Sequence, residues 1–275
     1  MAVIDDRVDD LLRRLDRALP GRVEGFYVVG SVCLGAFREG RSDIDFVAIL
    51  DGGLDQAELR RLRAIHLGRW ASALAGDVVA RRRWPLVCNG SYLQRGALAR
   101  SPLEVTALAS HVAGRFGSGV GVDVNPITWH TLARYGIAVR GAEPHQLEIH
   151  ADPAELLAWT RANLDGYWRG WVARARGPGA GVGLVLPRRS AASGVLGVSR
   201  LACTLATGEI VSKEAGGEYA LEAFGAEWRA VISDALAFWR GLPAPAVFRG
   251  HPFRQVRLAA DFVEHVIDAC CARTT

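Results

Sequence analysis

The chain has 275 residues, half of them hydrophobic, and 33 basic against 29 acidic side chains give it a formal charge of +4. That length and apolar content allow two ordinary domains with separate cores and exclude a disordered chain. No uninterrupted apolar run approaches the roughly 20 residues of a membrane span, and the opening MAVIDDRVDD is acidic where a secretory leader is basic, so a cytoplasmic protein with no membrane partner is expected.

Residues Asp5 to Leu19 set Val8, Leu11, Leu12, Leu15 and Leu19 at three-to-four spacing among charges, which predicts an amphipathic helix closed by Pro20-Gly21. Phe26 to Gly30 and Ile44 to Leu50 read as buried strands, joined by a glycine-punctuated turn and a short helix. Leu54 to Ala75 has a helical pattern, and Leu86 to Leu93 reads as a third strand. Between them, Arg81-Arg82-Arg83 reads as a solvated turn, with phosphate contact the less favoured option. Asp123 to Gly141 predicts a short helix and then a strand at Ile137 to Val139. From Asp152 onward the texture is helical, in segments Pro153–Ala175, Ser190–Ala206, Glu218–Arg240 and Arg254–Ala272, with a Gly/Pro-rich loop at Arg176 to Pro187. The expected organisation is α+β: a mixed-sheet domain over residues 1–151, then a helical bundle over residues 152–275.

Charge is spread evenly, since residues 1–150 carry 19 arginines against 17 acids and residues 151–275 carry 14 basic residues against 12. A nucleic-acid binder concentrates its charge, so no nucleic-acid partner is expected, and a polymerase-like reading ranks well below the one that follows. Cys33, Cys88, Cys203, Cys270 and Cys271 form an odd set without a CxxC pair or a partnering histidine spacing, which favours reduced core thiols over disulfides or zinc. Of the 33 basic residues only Lys213 is a lysine.

The chemistry concentrates in Gly30-Ser31-Val32-Cys33-Leu34-Gly35-Ala36-Phe37 followed by Ser42-Asp43-Ile44-Asp45-Phe46. Gly30 ends a strand and lets backbone approach phosphate, while Ser31 offers a hydroxyl and an N–H near an expected helix amino terminus, where anions are favoured. Asp43 and Asp45, two apart at a strand start, point to one face and can share hard, oxygen-seeking magnesium ions. Two such ions can clamp the oxygens of an in-line phosphoryl displacement. Either motif alone occurs commonly in turns and strand starts. Their union from strand to helix to strand is far more specific.

With those residues the chain resembles the polymerase-β-like nucleotidyltransferase superfamily, and over nearly its whole length it looks like the aminoglycoside adenylyltransferases that modify streptomycin and spectinomycin. Ser199-Arg200-Leu201, Ala206-Thr207-Gly208-Glu209-Ile210 and Ser212-Lys213 are similar to that family's helix, turn and lysine closing over the triphosphate. The resemblance implies Mg2+ as cofactor, ATP as co-substrate, and Gly30, Ser31, Arg200 and Lys213 as phosphate ligands. ATP and a small-molecule acceptor would lie between the two domains of a monomer or small homo-oligomer. A compact ammonium at Lys213, where every other basic residue is a guanidinium, fits that role. The plainer alternatives are a surface lysine at a helix start and, for Arg200, a snorkelling side chain on an apolar helix.

Two departures from the family pattern shape the functional expectation. Relatives carry a Glu on the next strand as general base, whereas Leu86-Val87-Cys88-Asn89-Gly90-Ser91 puts Asn89 there, and an amide cannot accept that proton. Glu104 lies farther along, in an expected loop before a helix, and His130 reads as structural, so neither replaces it. Arg188 and Arg189, with Ser190 and Ser193, stand where aminoglycoside-binding relatives are acidic, which argues for a neutral or anionic acceptor. The expectation is transfer of a nucleoside monophosphate, AMP from ATP, to a small molecule. An already ionised acceptor other than an aminoglycoside would need no base. The alternative is a nucleotide-binding protein that has lost efficient transfer.

Overall fold

The structure is a computed structural model that describes residues 2–80, 85–119, 121, 123–177, 187–245, 248 and 252–272. The Arg81-Arg82-Arg83 run and most of the expected loop at 176–187 lie outside the described residues. The chain divides into two compact units, Met1–Asp152 and Pro153–Thr275.

The first unit is built on six strands: β1 (Val23–Val29), β2 (Ile44–Leu50), β3 (Cys88–Gln94), β4 (Ala109–Val112), β5 (Arg115–Gly117) and β6 (Ile137–Arg140). Their order is β5-β4-β3-β2-β1-β6, with β2 and β3 parallel and the other pairs antiparallel. Alternation along the strands assigns two faces. Phe26 and Val28 of β1, Ile44, Phe46 and Ala48 of β2, and Tyr92 of β3 form one core with Val8, Leu11, Leu12 and Leu15 of helix α1 (Ala2–Ala18). Helix α2 (Gln56–Ala73) covers the same face through Leu62 and His66. Its start is fixed by a reciprocal capping box, in which Glu58 N donates to Asp55 (2.7 Å) and Asp55 N to Glu58 (2.8 Å). Val29, Val47 and Leu93 face the other way, against Trp129 and Leu132 of helix α3 (Pro126–Tyr135).

Local departures from the sequence expectations have simple causes. No helix joins β1 to β2. Residues 30–36 make a run of turns, with Leu34 N donating to Gly30 O (3.2 Å) and Ala36 N to Ser31 O (2.9 Å). Gly30 and Gly35 at either end have φ of +69° and +64°, left-handed values that stop a helix from propagating. Glu104 precedes a strand, not a helix: it ends a 3-10 turn, Pro102–Glu104, and the β4–β5 hairpin follows. Past Ala73, helix α2 widens into a π-helical stretch, Leu74–Ala80.

The second unit is helical: α4 (Pro153–Asn163), a π-helical turn, α5 (Arg169–Arg176), α6 (Pro187–Thr207), α7 (Lys213–Ala223), α8 (Arg229–Trp239) and α9 (Pro252–Cys271). The helix expected at Glu218–Arg240 is interrupted, because Phe224 adopts an extended backbone (φ −111°, ψ 156°) ahead of Gly225. Helix α6 runs through the core. Gly194 and Gly197 leave room for the Trp171 and Trp168 rings, and Gly217 of α7 meets Leu196 of α6 and Leu236 of α8. Among the described residues no helix is long and apolar enough to cross a membrane.

Candidate nucleotide site

Parallel pairing of β2 with β3 sets the register Asp45↔Asn89 and Val47↔Ser91, so Asp45, Asn89 and Ser91 lie on one face at one end of the sheet. Antiparallel pairing puts Val29 opposite Asp45, which brings the end of β1 and Gly30 to the same place. A Cβ on Gly30 would collide with Asp45 Oδ2, so at this point only glycine lets the turn pass the carboxylate. Ser31 follows, half-buried, in the run of turns. Asp43, just before β2, accepts a hydrogen bond from Asn89 Nδ2 at 3.1 Å. The orientation of that amide is settled from behind, because Asn89 Oδ1 accepts from Ala113 N at 3.0 Å and the nitrogen must face Asp43. Asn89 therefore sits beside the aspartates as a donor.

Burial and the charge of Asp45 push the Cys33 thiol up to about 12, which keeps it protonated. A third carboxylate, absent from the sequence expectations, joins the pair: burial and the charge of Asp43 push Asp123 up to about 6. Its Oδ2 is closed to solvent and has no partner. Nothing in its sequence neighbourhood marks it, since Asp123 follows β5 in a turn far from both motifs.

The donor set suits Mg2+. Asp43 and Asp45 offer hard carboxylate oxygens, and the glycine at position 30 leaves Asp45 its space. Among the described residues no three carboxylate, imidazole or thiol side chains converge into an ion site of their own. A magnesium ion held by one or two carboxylates takes its remaining ligands from phosphates and water.

In the second unit, Lys213 is the first residue of α7, whose cap Ser212 accepts from Ala215 N at 3.1 Å. The Lys213 ammonium lies 4.3 Å from the centroid of the Trp239 ring. Gly216, one turn on, packs so closely on Arg200 that an added Cβ would sit 2.8 Å from its backbone nitrogen, so Arg200 and Lys213 occupy one corner of α6 and α7. Arg188 is a different matter. It donates to Asp234 from Nε (3.2 Å) and Nη2 (3.0 Å) and to Leu242 O (3.1 Å). Its charge is offset within the unit, which removes much of the positive lip inferred from sequence. Glu104 is exposed, and the buried ring of His130 hydrogen-bonds Asp152 O at 3.1 Å, a structural contact.

Residues 8–84 match the nucleotidyltransferase domain family, and with this sheet and carboxylate pair the chain is a nucleotidyltransferase-fold protein. Residues 188–264 match the C-terminal domain of aminoglycoside adenylyltransferases. The chain is thus aminoglycoside adenylyltransferase-like within that class. No curated protein matches it in sequence. Among solved structures it is similar to spectinomycin adenyltransferase AAD(9) from Enterococcus faecialis, solved with ATP and spectinomycin, at a TM-score of 0.70 and 13% identity over 96% of this chain and 98% of that one. Identity that low speaks to the fold.

Proposed function

We propose that the protein transfers AMP from Mg-ATP to a small-molecule acceptor, releasing pyrophosphate. The observation that carries this reading is the placement of Asp45 against Gly30, where no side chain fits, with Asp43 held nearby by Asn89. Bound Mg2+ would offset the triphosphate charge and the charge developing on the leaving pyrophosphate. Gly30 and Ser31 would present backbone and hydroxyl to the phosphates, and Arg200 and Lys213 would serve as cationic phosphate ligands. Asn89, held by Ala113 N, would keep Asp43 in place by its hydrogen bond.

The similarity to an adenyltransferase solved with spectinomycin supports a hydroxyl-bearing acceptor. Arg188 adds little positive charge toward an ionised acceptor, because it is paired with Asp234. Asn89 favours a second reading, a protein that binds ATP without efficient transfer. Pyrophosphate release from Mg-ATP over cationic, neutral and carboxylate-bearing acceptors separates them: release stimulated by one class is expected, and tight Mg-ATP binding without release would establish the binding protein.

A further inference from the structure

Resting on the transfer reading above, we infer that Asp123 takes the proton from the acceptor's hydroxyl, supplying from a loop the carboxylate that position 89 lacks. Gly121, two residues before it, is docked on β3. Val124 N donates to Gly121 O (3.1 Å), and a Cβ on Gly121 would sit 3.0 Å from Ser91 Oγ and 3.1 Å from Ala107 Cβ. Ser91 and Asn89 share one face of β3, so Asp123 is held on the face that carries Asp45. Its exit is fixed as well, since Asn125 caps α3 by accepting from Thr128 N at 3.1 Å.

A carboxylate oxygen sealed from water without a donor is costly and asks for a reason. Structural carboxylates in this chain are given donors: Asp77 accepts from Leu86 N (3.0 Å), and Asp234 from Arg188 and Gln255. Asp123 Oδ2 has no such donor, and the charge of Asp43 reaches it. A ligand hydroxyl entering beside Asp43 would supply the missing hydrogen.

In the step, the acceptor oxygen forms a bond to the α-phosphorus as its proton passes to Asp123. The bond from that phosphorus to the bridging oxygen breaks, and pyrophosphate leaves. Asp123 later gives the proton to water, so the balance is hydroxyl plus ATP to the adenylyl ester, pyrophosphate and one proton.

The test compares wild type with Asp123→Asn for pyrophosphate release from Mg-ATP, with spectinomycin, streptomycin or water alone as hydroxyl source, beside calorimetric titration of Mg-ATP. Release should fall roughly a hundredfold to ten-thousandfold, in kcat and not in KM for ATP, with Mg-ATP affinity retained. Wild-type rates in Asp123→Asn would overturn the inference. So would Mg-ATP affinity lost together with release in a variant that melts normally, which would make Asp123 a magnesium-holding residue. Asp123→Ser replaces a variant that fails to fold. Wild type that binds Mg-ATP but releases no pyrophosphate, even to water, would instead overturn the transfer reading and the inference with it.

Discussion

Two buried polar clusters in this molecule are built on opposite plans. Around Asp234 every demand is met: Arg188 donates twice, Gln255 donates from α9, and the Asp234 side chain is 3% exposed. Around Asp43, Asn89 donates to the carboxylate, Asp123 feels its charge, and Asp123 keeps a buried oxygen without a partner. A closed cluster holds the fold, and an open one, with a buried carboxylate oxygen left unpartnered as at Asp123, stores unfavourable energy that a donor ligand can release.

The largest expected effect tests the open cluster. The Asp43→Asn, Asp45→Asn double variant should lose roughly a thousandfold or more in pyrophosphate release, because several kcal/mol of metal-borne charge stabilisation goes with the carboxylates. Calorimetry of ATP with and without magnesium decides it, and equal magnesium dependence in variant and wild type would remove the metal assignment.

The closed cluster should respond in the reverse sense. Arg188→Ala leaves Asp234 buried with one donor and should cost about 3 kcal/mol of stability, the scale for breaking a buried pair, with Mg-ATP affinity per folded molecule unchanged. Denaturant melts check the first and calorimetry the second. Replacing both partners by apolar residues of similar size should recover most of the loss.

This contrast also explains what the sequence revealed. The Gly30-Ser31 and Asp43-x-Asp45 elements, and the apolar run of β2, are local patterns within one strand–turn–strand unit and could be read directly. The register of Asn89 with Asp45 followed from recognising β3 as the next strand. Helix α1 showed its periodicity because it covers one face only. Asp123 was not legible, since what distinguishes it is an absent hydrogen bond and the charge of Asp43, eighty positions earlier in the chain. Arg188 misled for the same reason, its partner lying at position 234. The β4–β5 hairpin was missed because Ala109-Ser110-His111-Val112 is short and buries a serine and a histidine, without polar–apolar alternation.

Lys213 fits neither plan, being cationic, half-buried and resting on Trp239. As a phosphate ligand it should sharpen the comparison: Lys213→Ala should weaken ATP binding by roughly 1.5–3 kcal/mol, about tenfold to over a hundredfold, and leave adenosine binding nearly unchanged. Equal weakening of both ligands would make the lysine a structural partner of the indole ring.

The smallest effect concerns a second closed site, on the α1 and α2 side of the sheet. His66 hydrogen-bonds Tyr92 Oη at 2.7 Å and stacks on His111 with ring centroids 4.6 Å apart. Burial first, and His111 second, depress its pKa from the ordinary 6.5 to about 3. The unfolded chain therefore binds a proton that the native ring refuses. The stability contributed is fully present above about pH 6.5 and is lost progressively as pH falls toward 3. At pH 5.5 one such ring removes about 1.4 kcal/mol. Asp123 works in the opposite direction, because its raised pKa makes the native state the better proton binder between about 6 and its ordinary 3.8. His66→Phe should flatten the difference in melting temperature between pH 7 and pH 5.5, while Asp123→Asn should steepen it. If His66→Phe leaves that slope unchanged, the imidazole finds a charged state inside the fold, and the pocket around Tyr92 belongs with the open clusters.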